Sequence, residues 1–243
     1  RLISMRIAAT LLSLLLSISA SAQRLAVIVD GGERPEYNAR GTTYVEALRG
    51  RNYSLRLSNP TPYRVAVALS VDGLNTIDAR HSDAWSASKW ILDPYETIDI
   101  DGWQVSDSTA RRFFFTGERN SYGAKLGQTE NLGVIEAVFY RERQRPVSRV
   151  GPLYEGEERS AAAGAMPAPK AADDYAATGM GHRTDHSVYT VDIDLESHPI
   201  ASERIRYEFR AQLVKLGVID VEPRPLDRRE KARGFERFCP ERN

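Results

Sequence analysis

Tyr63-Arg64-Val65-Ala66-Val67-Ala68-Leu69-Ser70-Val71-Asp72-Gly73 is the stretch on which the fold turns. Its odd positions as far as Val71 are large and apolar, and its even positions are small or polar. A period of two marks a β-strand with one heavy face. The strand runs straight into Asp72-Gly73, a turn dipeptide. The same grammar returns at Ile98-Asp99-Ile100-Asp101-Gly102-Trp103, so residues 71–75 and 100–104 read as two versions of one strand-and-turn unit. Trp85, Trp90 and Trp103 all lie between these limits.

On the N-terminal side, Tyr53, Leu55 and Leu57 alternate with Ser54, Arg56 and Ser58, and Ser58-Asn59-Pro60-Thr61-Pro62 leads into the strand at 63. Prolines confined to the connection, with apolar residues in phase on both sides, predict a β-hairpin. Earlier still, Leu25-Ala-Val-Ile-Val29 is a short apolar run stopped by Asp30-Gly31-Gly32, residues 33–42 read as loop, and Thr43–Leu48 is a weaker strand.

On the C-terminal side, Asn75–Lys89 has no clear period and predicts a long exposed loop carrying Asp78, Arg80, His81 and Asp83. Strands follow at Trp90–Leu92, Tyr95–Ile100 and Arg111–Phe115, the last with Phe113 and Phe115 opposite Phe114 and so covered on both faces. A glycine-bearing loop spans 117–132, and Gly133–Tyr140 is a strand. Proline, alanine and acidic pairs then mark an insertion at about 141–181. Strand pattern resumes at Ser187–Ile193 and at Ile205, Tyr207 and Phe209, before a short helix through Gln212–Leu216 stopped by Gly217. Residues 222–243 form a charged, extended tail.

The first 22 residues stand apart. Arg6 precedes an apolar run, Ile7–Ile18, that ends in Ala20-Ser21-Ala22, the pattern of a secretory signal peptide with Met5 as the expected start. Cleavage after Ala22 leaves a chain with no later apolar run long enough to span a bilayer and no cysteine placed to accept lipid. The expected address is secreted, periplasmic or cell-surface. Loss of Arg1 and Arg6 leaves 31 basic against 33 acidic residues, a balance that gives no electrostatic case for nucleic acid. Cys239 is the only cysteine, so no intramolecular disulfide forms; it is either buried or pairs with another chain.

Together these elements predict an all-β protein, an antiparallel β-sandwich of jelly-roll or immunoglobulin-like type over residues 23–221, with one short C-terminal helix and a disordered insertion. The blocks Val71-Asp72-Gly73-Leu74-Asn75, Asp93-Pro94-Tyr95-Glu96, Ile100-Asp101-Gly102-Trp103, Ser121-Tyr122, Asn131-Leu132-Gly133-Val134-Ile135 and Thr178-Gly179-Met180-Gly181 resemble those of a family of uncharacterised exported bacterial proteins. The resemblance covers most of residues 50–220. It implies one compact exported unit with a variable insertion, and no activity.

Three groups of residues carry possible chemistry. Asp72, Asp78, Asp99 and Asp101 supply oxygen ligands for a structural divalent cation, with Asp99 and Asp101 on one strand face. The full calcium loop is not met, since Thr97 and Ser108 stand where further ligands belong. Asp before Gly is also ordinary turn chemistry. His182 and His186 have a spacing that zinc sites use on helices, but glycines before them and a strand after them argue for a solvated loop. Trp85, Tyr95, Trp103 and Tyr122, with Trp90, form an aromatic set that either holds a ligand or fills the core. There is no nucleophile elbow and no phosphate-binding glycine loop, so no catalytic residue or further cofactor is assigned.

The leading expectation is therefore an exported, non-catalytic protein that binds an envelope or extracellular glycan or protein. The alternatives are a carboxylate-dependent hydrolase of envelope material using Asp72, Asp99 and Asp101 as acid and base, and a structural subunit assembling through its insertion or Cys239.

Overall fold

The computed structural model describes residues 23–143 and 174–220. The leader, residues 144–173 of the expected insertion, the tail and Cys239 lie outside the described residues. In chain order the strands are β1 (Arg24–Val29), β2 (Gly32–Glu33), β3 (Glu36–Ala39), β4 (Thr42–Ala47), β5 (Asn52–Ser58), β6 (Val65–Val71) and β7 (Leu74–Asn75). They continue as β8 (Trp90–Leu92), β9 (Thr97–Ile100), β10 (Gly102–Ser106), β11 (Thr109–Gly117), β12 (Val134–Arg141), β13 (Ala176–Asp185) and β14 (Ala201–Phe209). A 3-10 turn at Glu118–Asn120 and two short helices, α1 (Tyr122–Lys125) and α2 (Arg210–Lys215), complete it.

The strands form two packed seven-stranded sheets, a β-sandwich-like arrangement. The first runs β10-β11-β5-β1-β2, with β13 on β11 and β9 on β5; the second runs β3-β4-β14-β12-β6-β7, with β8 on β6. Their inner faces supply one core. Val65, Val67, Leu69 and Val71 of β6, with Ile135, Phe139 and Tyr207 beside them, pack with Leu55, Leu57, Phe113 and Phe115 of the first sheet. Burying each such side chain stabilises the fold by about 1.5–3 kcal/mol.

Several expectations are corrected. Tyr53–Leu57 and Val65–Val71 do not form a hairpin, because β5 pairs with β1, β9 and β11 whereas β6 pairs with β12, β7 and β8. The chain crosses between sheets at Asn59, which is buried and donates from Nδ2 to the carbonyls of Tyr63 and Asp93, both at 2.8 Å. Residues 33–42 contain β3. Pairing is not wholly antiparallel: β4 and β14, far apart in sequence, lie parallel because no short connection constrains their direction. Ser187–Ile193 is not a strand, and the strand falls on Ala176–Asp185, beginning inside the segment expected as insertion and running past its end. Its small residues fit a narrow place, with Gly179 against the ring of Phe114. The helix before Gly217 is present as α2, and Gly217 has φ +65°.

The two Asp-Gly blocks differ in kind. Asp72 and Gly73 have φ 54° and 76° between paired Val71 and Leu74, as a two-residue type I′ hairpin requires. Gly102 instead marks a close approach, for a Cβ there would sit 1.9 Å from the carbonyl oxygen of Arg111. Gly102→Ala must push β10 away from β11, and we expect it to destabilise the protein by about 3 kcal/mol. A urea-unfolding midpoint unchanged from wild type would refute this.

Candidate functional site

The Asp72-Gly73 turn sits at the junction of two polar features, one buried and one open. Asp72 is 2% exposed. Its Oδ1 accepts from the Gly133 N–H at 2.8 Å and from the Tyr207 hydroxyl at 2.5 Å, and its Oδ2 accepts from the Thr178 N–H at 2.7 Å. Thr178 Oγ1 lies 2.6 Å from the hydroxyls of both Tyr207 and Tyr53, so three hydroxyls form a chain that ends on the carboxyl group. Asp72, Asn131–Ile135 and Thr178–Gly181 belong to separate blocks of the sequence, and the fold brings them together here.

Burial pushes the Asp72 carboxyl up to about 7, outweighing the three donors that favour its ionised form. Burial, then the neighbouring Asp72, holds the Tyr53 and Tyr207 hydroxyls well above the usual phenol range. Glu208 makes a parallel contact, accepting from the Ala176 N–H at 3.2 Å. Burial raises its carboxyl as well, opposed by the Ala176 N–H and the charge of Arg206.

Directly above Asp72, on the outer face of the second sheet, lies a groove of about 490 Å³. Its floor is the outward face of β6 and β12, where Ala68, Ser70, Val134, Glu136 and Val138 alternate with core residues. One wall is β14, carrying Arg204 and Arg206, and the other is the 80–87 segment with Arg80, His81, Ala84 and Ala87. Gly73 and Asn131 close one end, packed so tightly that a Cβ on Gly73 would meet Asn131 Cβ at 2.7 Å. At the other end, Tyr140 lies two residues beyond Val138 on the same face and carries the ring of Trp85 edge-on, with centroids 5.3 Å apart.

The expected loop 75–89 does expose Asp78, Arg80, His81 and Asp83, while other residues of it are anchored on the sheet. Thr76 N–H donates to the Leu69 carbonyl at 3.0 Å, and Asn75 Nδ2 to the Ser88 carbonyl at 2.8 Å. Ala84 and Ala87 cover Ala68 and Val138. Lys89 Nζ donates to the carbonyls of Trp85 and Ala87 at 2.5 and 2.8 Å, and burial lowers its pKa.

Other sequence candidates lie elsewhere. Trp103, 1% exposed, is in the core with Tyr122 packed 5.1 Å away, so neither belongs to a common surface with Trp85. Tyr95 is 70% exposed on the Asp93–Glu96 turn and does not line the groove. Trp90 is buried and donates from Nε1 to Thr76 Oγ1 at 2.9 Å. Asp99 is held by Arg56 through two bonds of 2.8 and 2.7 Å, and Asp101 is half-buried at the link between β9 and β10. Asp78 accepts from Ser88 Oγ and the Arg80 N–H. His182 is exposed on β13, whereas His186 places Nδ1 2.8 Å from Gln104 Oε1 and its ring 5.6 Å from Trp90. Asp72, Asp99 and Asp101 do not converge, and among the described residues no group of three or more His, Cys, Asp or Glu could hold a metal ion. No helix among the described residues is long and apolar enough to cross a membrane.

No family model matches the chain, and no curated protein or solved structure is significantly similar to it. Arg204, Arg206, Thr178 and Tyr207 were not singled out by sequence reasoning. For the arginines the one available clue was their alternation with Ile205 and Tyr207, which marks an outer face without naming its use.

Asp72 makes stability depend on pH. Its carboxyl ionises near 3.8 when unfolded and near 7 when folded, so the folded state holds the extra proton between these values. The stabilisation is complete below pH 3.8 and is lost as pH rises towards 7, by up to about 1.4 kcal/mol per pH unit. Asp72→Asn removes this slope and lowers stability throughout, because its Nδ2 faces the Thr178 N–H. Urea unfolding at pH 5, 6 and 7 should show the gap between wild type and variant narrowing as pH rises. A constant gap would exclude a proton held on Asp72.

Proposed function

We propose that this chain is an exported, non-catalytic binding protein that holds an envelope or extracellular glycan in the groove on its second sheet. The groove carries the reading: it joins a floor of small side chains and a hydroxyl to polar walls, and a half-exposed indole, Trp85, stands just beyond its lining, packed on Tyr140. Sugar rings need this combination, an aromatic face for their C–H groups and polar partners for their hydroxyls. The signal-peptide pattern of residues 1–22 and the resemblance to exported proteins support a place outside the cytoplasm. The hydrolase alternative has less support, because Asp72 is committed to three donors and Asp99 to Arg56.

Trp85, at 49% exposure, is the reporter. Titration with envelope and extracellular polysaccharides should shift tryptophan emission, and Trp85→Ala should abolish most of the shift while weakening binding about tenfold. Failure of every polysaccharide in such a panel to bind wild-type protein would sink the proposal.

A further inference from the structure

The groove's charges define the glycan more narrowly, in an inference that rests on the function just proposed. Three guanidiniums, from Arg80, Arg204 and Arg206, line it against the carboxylates of Glu130 and Glu136. The pairs are not evenly shared. Glu136 is taken by Arg204 at 2.6 Å, while Arg80 and Arg206 are exposed and form no ion pair among the described residues. Elsewhere on the outer surface some arginines are paired, as Arg56 with Asp99, Arg64 with Asp93 and Arg51 with Asp30. Arg112 and Arg183 on the first sheet are exposed and, like Arg80 and Arg206, have no ion pair among the described residues. What sets Arg80 and Arg206 apart is that they line one groove.

These two guanidiniums belong to opposite walls, Arg206, whose charge also acts on the Glu208 carboxyl, to strand β14 and Arg80 to the 80–87 segment. An anion lying between them would receive charge-assisted bonds from both sides, and planar guanidinium suits carboxylate and similar oxyanions. Hydroxyl-bearing Thr42, Ser70 and Ser82 share the same lining, and Trp85 stands beyond. Hydroxyl and anion partners in the lining, with an aromatic ring standing just beyond it, favour a sugar over an acidic peptide.

We propose that the groove binds an acidic glycan, with Arg80 and Arg206 gripping its anionic groups from opposite walls and Trp85 stacking on a neighbouring ring.

The full chain, as exported, would be run through affinity gels containing polygalacturonate, its fully methyl-esterified form, dextran sulfate, dextran or poly-L-glutamate. Retardation should be at least about tenfold stronger with the charged polysaccharides than with their neutral counterparts, and should fall at least about tenfold in Arg80→Ala/Arg206→Ala. The control Arg112→Ala/Arg183→Ala removes the same charge from exposed positions on the first sheet and should retain binding. Melting temperatures of both double variants should match wild type, since the four side chains are exposed. Relative affinity for carboxylate and sulfate polymers identifies the anion preferred. Equal retardation by charged and neutral forms would overturn the acidic specificity and leave the glycan reading standing. Equal loss in both double variants would overturn the groove assignment in favour of diffuse attraction. Binding to poly-L-glutamate alone would replace the glycan with an acidic protein, and binding to none of the five would remove both proposals.

Discussion

The interaction on which the rest of the structure depends is the capture of backbone N–H groups on β13 by carboxyl groups of the opposite sheet. β13 hydrogen-bonds to β11 along one edge only. On its other edge the N–H groups of Ala176 and Thr178 point away from β11, where water is excluded and an unmet donor would be costly. Glu208 accepts the first and Asp72 the second. Two side chains of the second sheet thereby finish the hydrogen bonding of the first. Together with the Thr178–Tyr207 hydroxyl contact, they join the layers by directional bonds within an otherwise largely apolar interface.

The same carboxyl group shapes the surface. Asp72 also holds the N–H of Gly133, which positions Asn131 and Val134 beside Gly73. These residues are the closed end of the groove. The buried network and the open groove are therefore two sides of one hairpin turn, with the turn backbone between them. The opposite end is built differently, by Trp85 and Lys89 braced on Tyr140. The groove thus lies between a rigid end set from beneath and an aromatic end laid on from above.

How much of this was legible depends on the kind of pattern. Alternation at 63–71 and 53–57 correctly named the heavy faces, since Val65, Val67, Leu69, Leu55 and Leu57 are all fully buried. It did not tell which edge each strand pairs with, because two strands facing across a core and two strands side by side present the same in-phase sequence. The crossing was decided by Asn59, whose bonds to Tyr63 and Asp93 no local rule anticipates. β13 was missed for a related reason: Ala176, Ala177, Thr178 and Gly179 lack bulk, and their place comes from the Phe114 ring and two distant carboxyl groups. Trp103 and Trp85 looked alike as members of an aromatic set, yet one is enclosed and the other half exposed, a distinction set wholly by neighbours.

By itself the sequence determined a β-rich chain built of short alternating strands, the turn at Asp72-Gly73 and the glycine-stopped helix at Arg210–Lys215. These are local properties, encoded in side-chain period and in the backbone freedom of individual residues. Tertiary structure alone decided that Asp72 is a buried acceptor, that the 75–89 segment is anchored against a sheet, and that Arg80 and Arg206 line one groove. Residues up to 135 positions apart meet in that assembly. Their meeting is governed by hydrogen-bond closure and packing between layers, which leave no periodic trace along the chain.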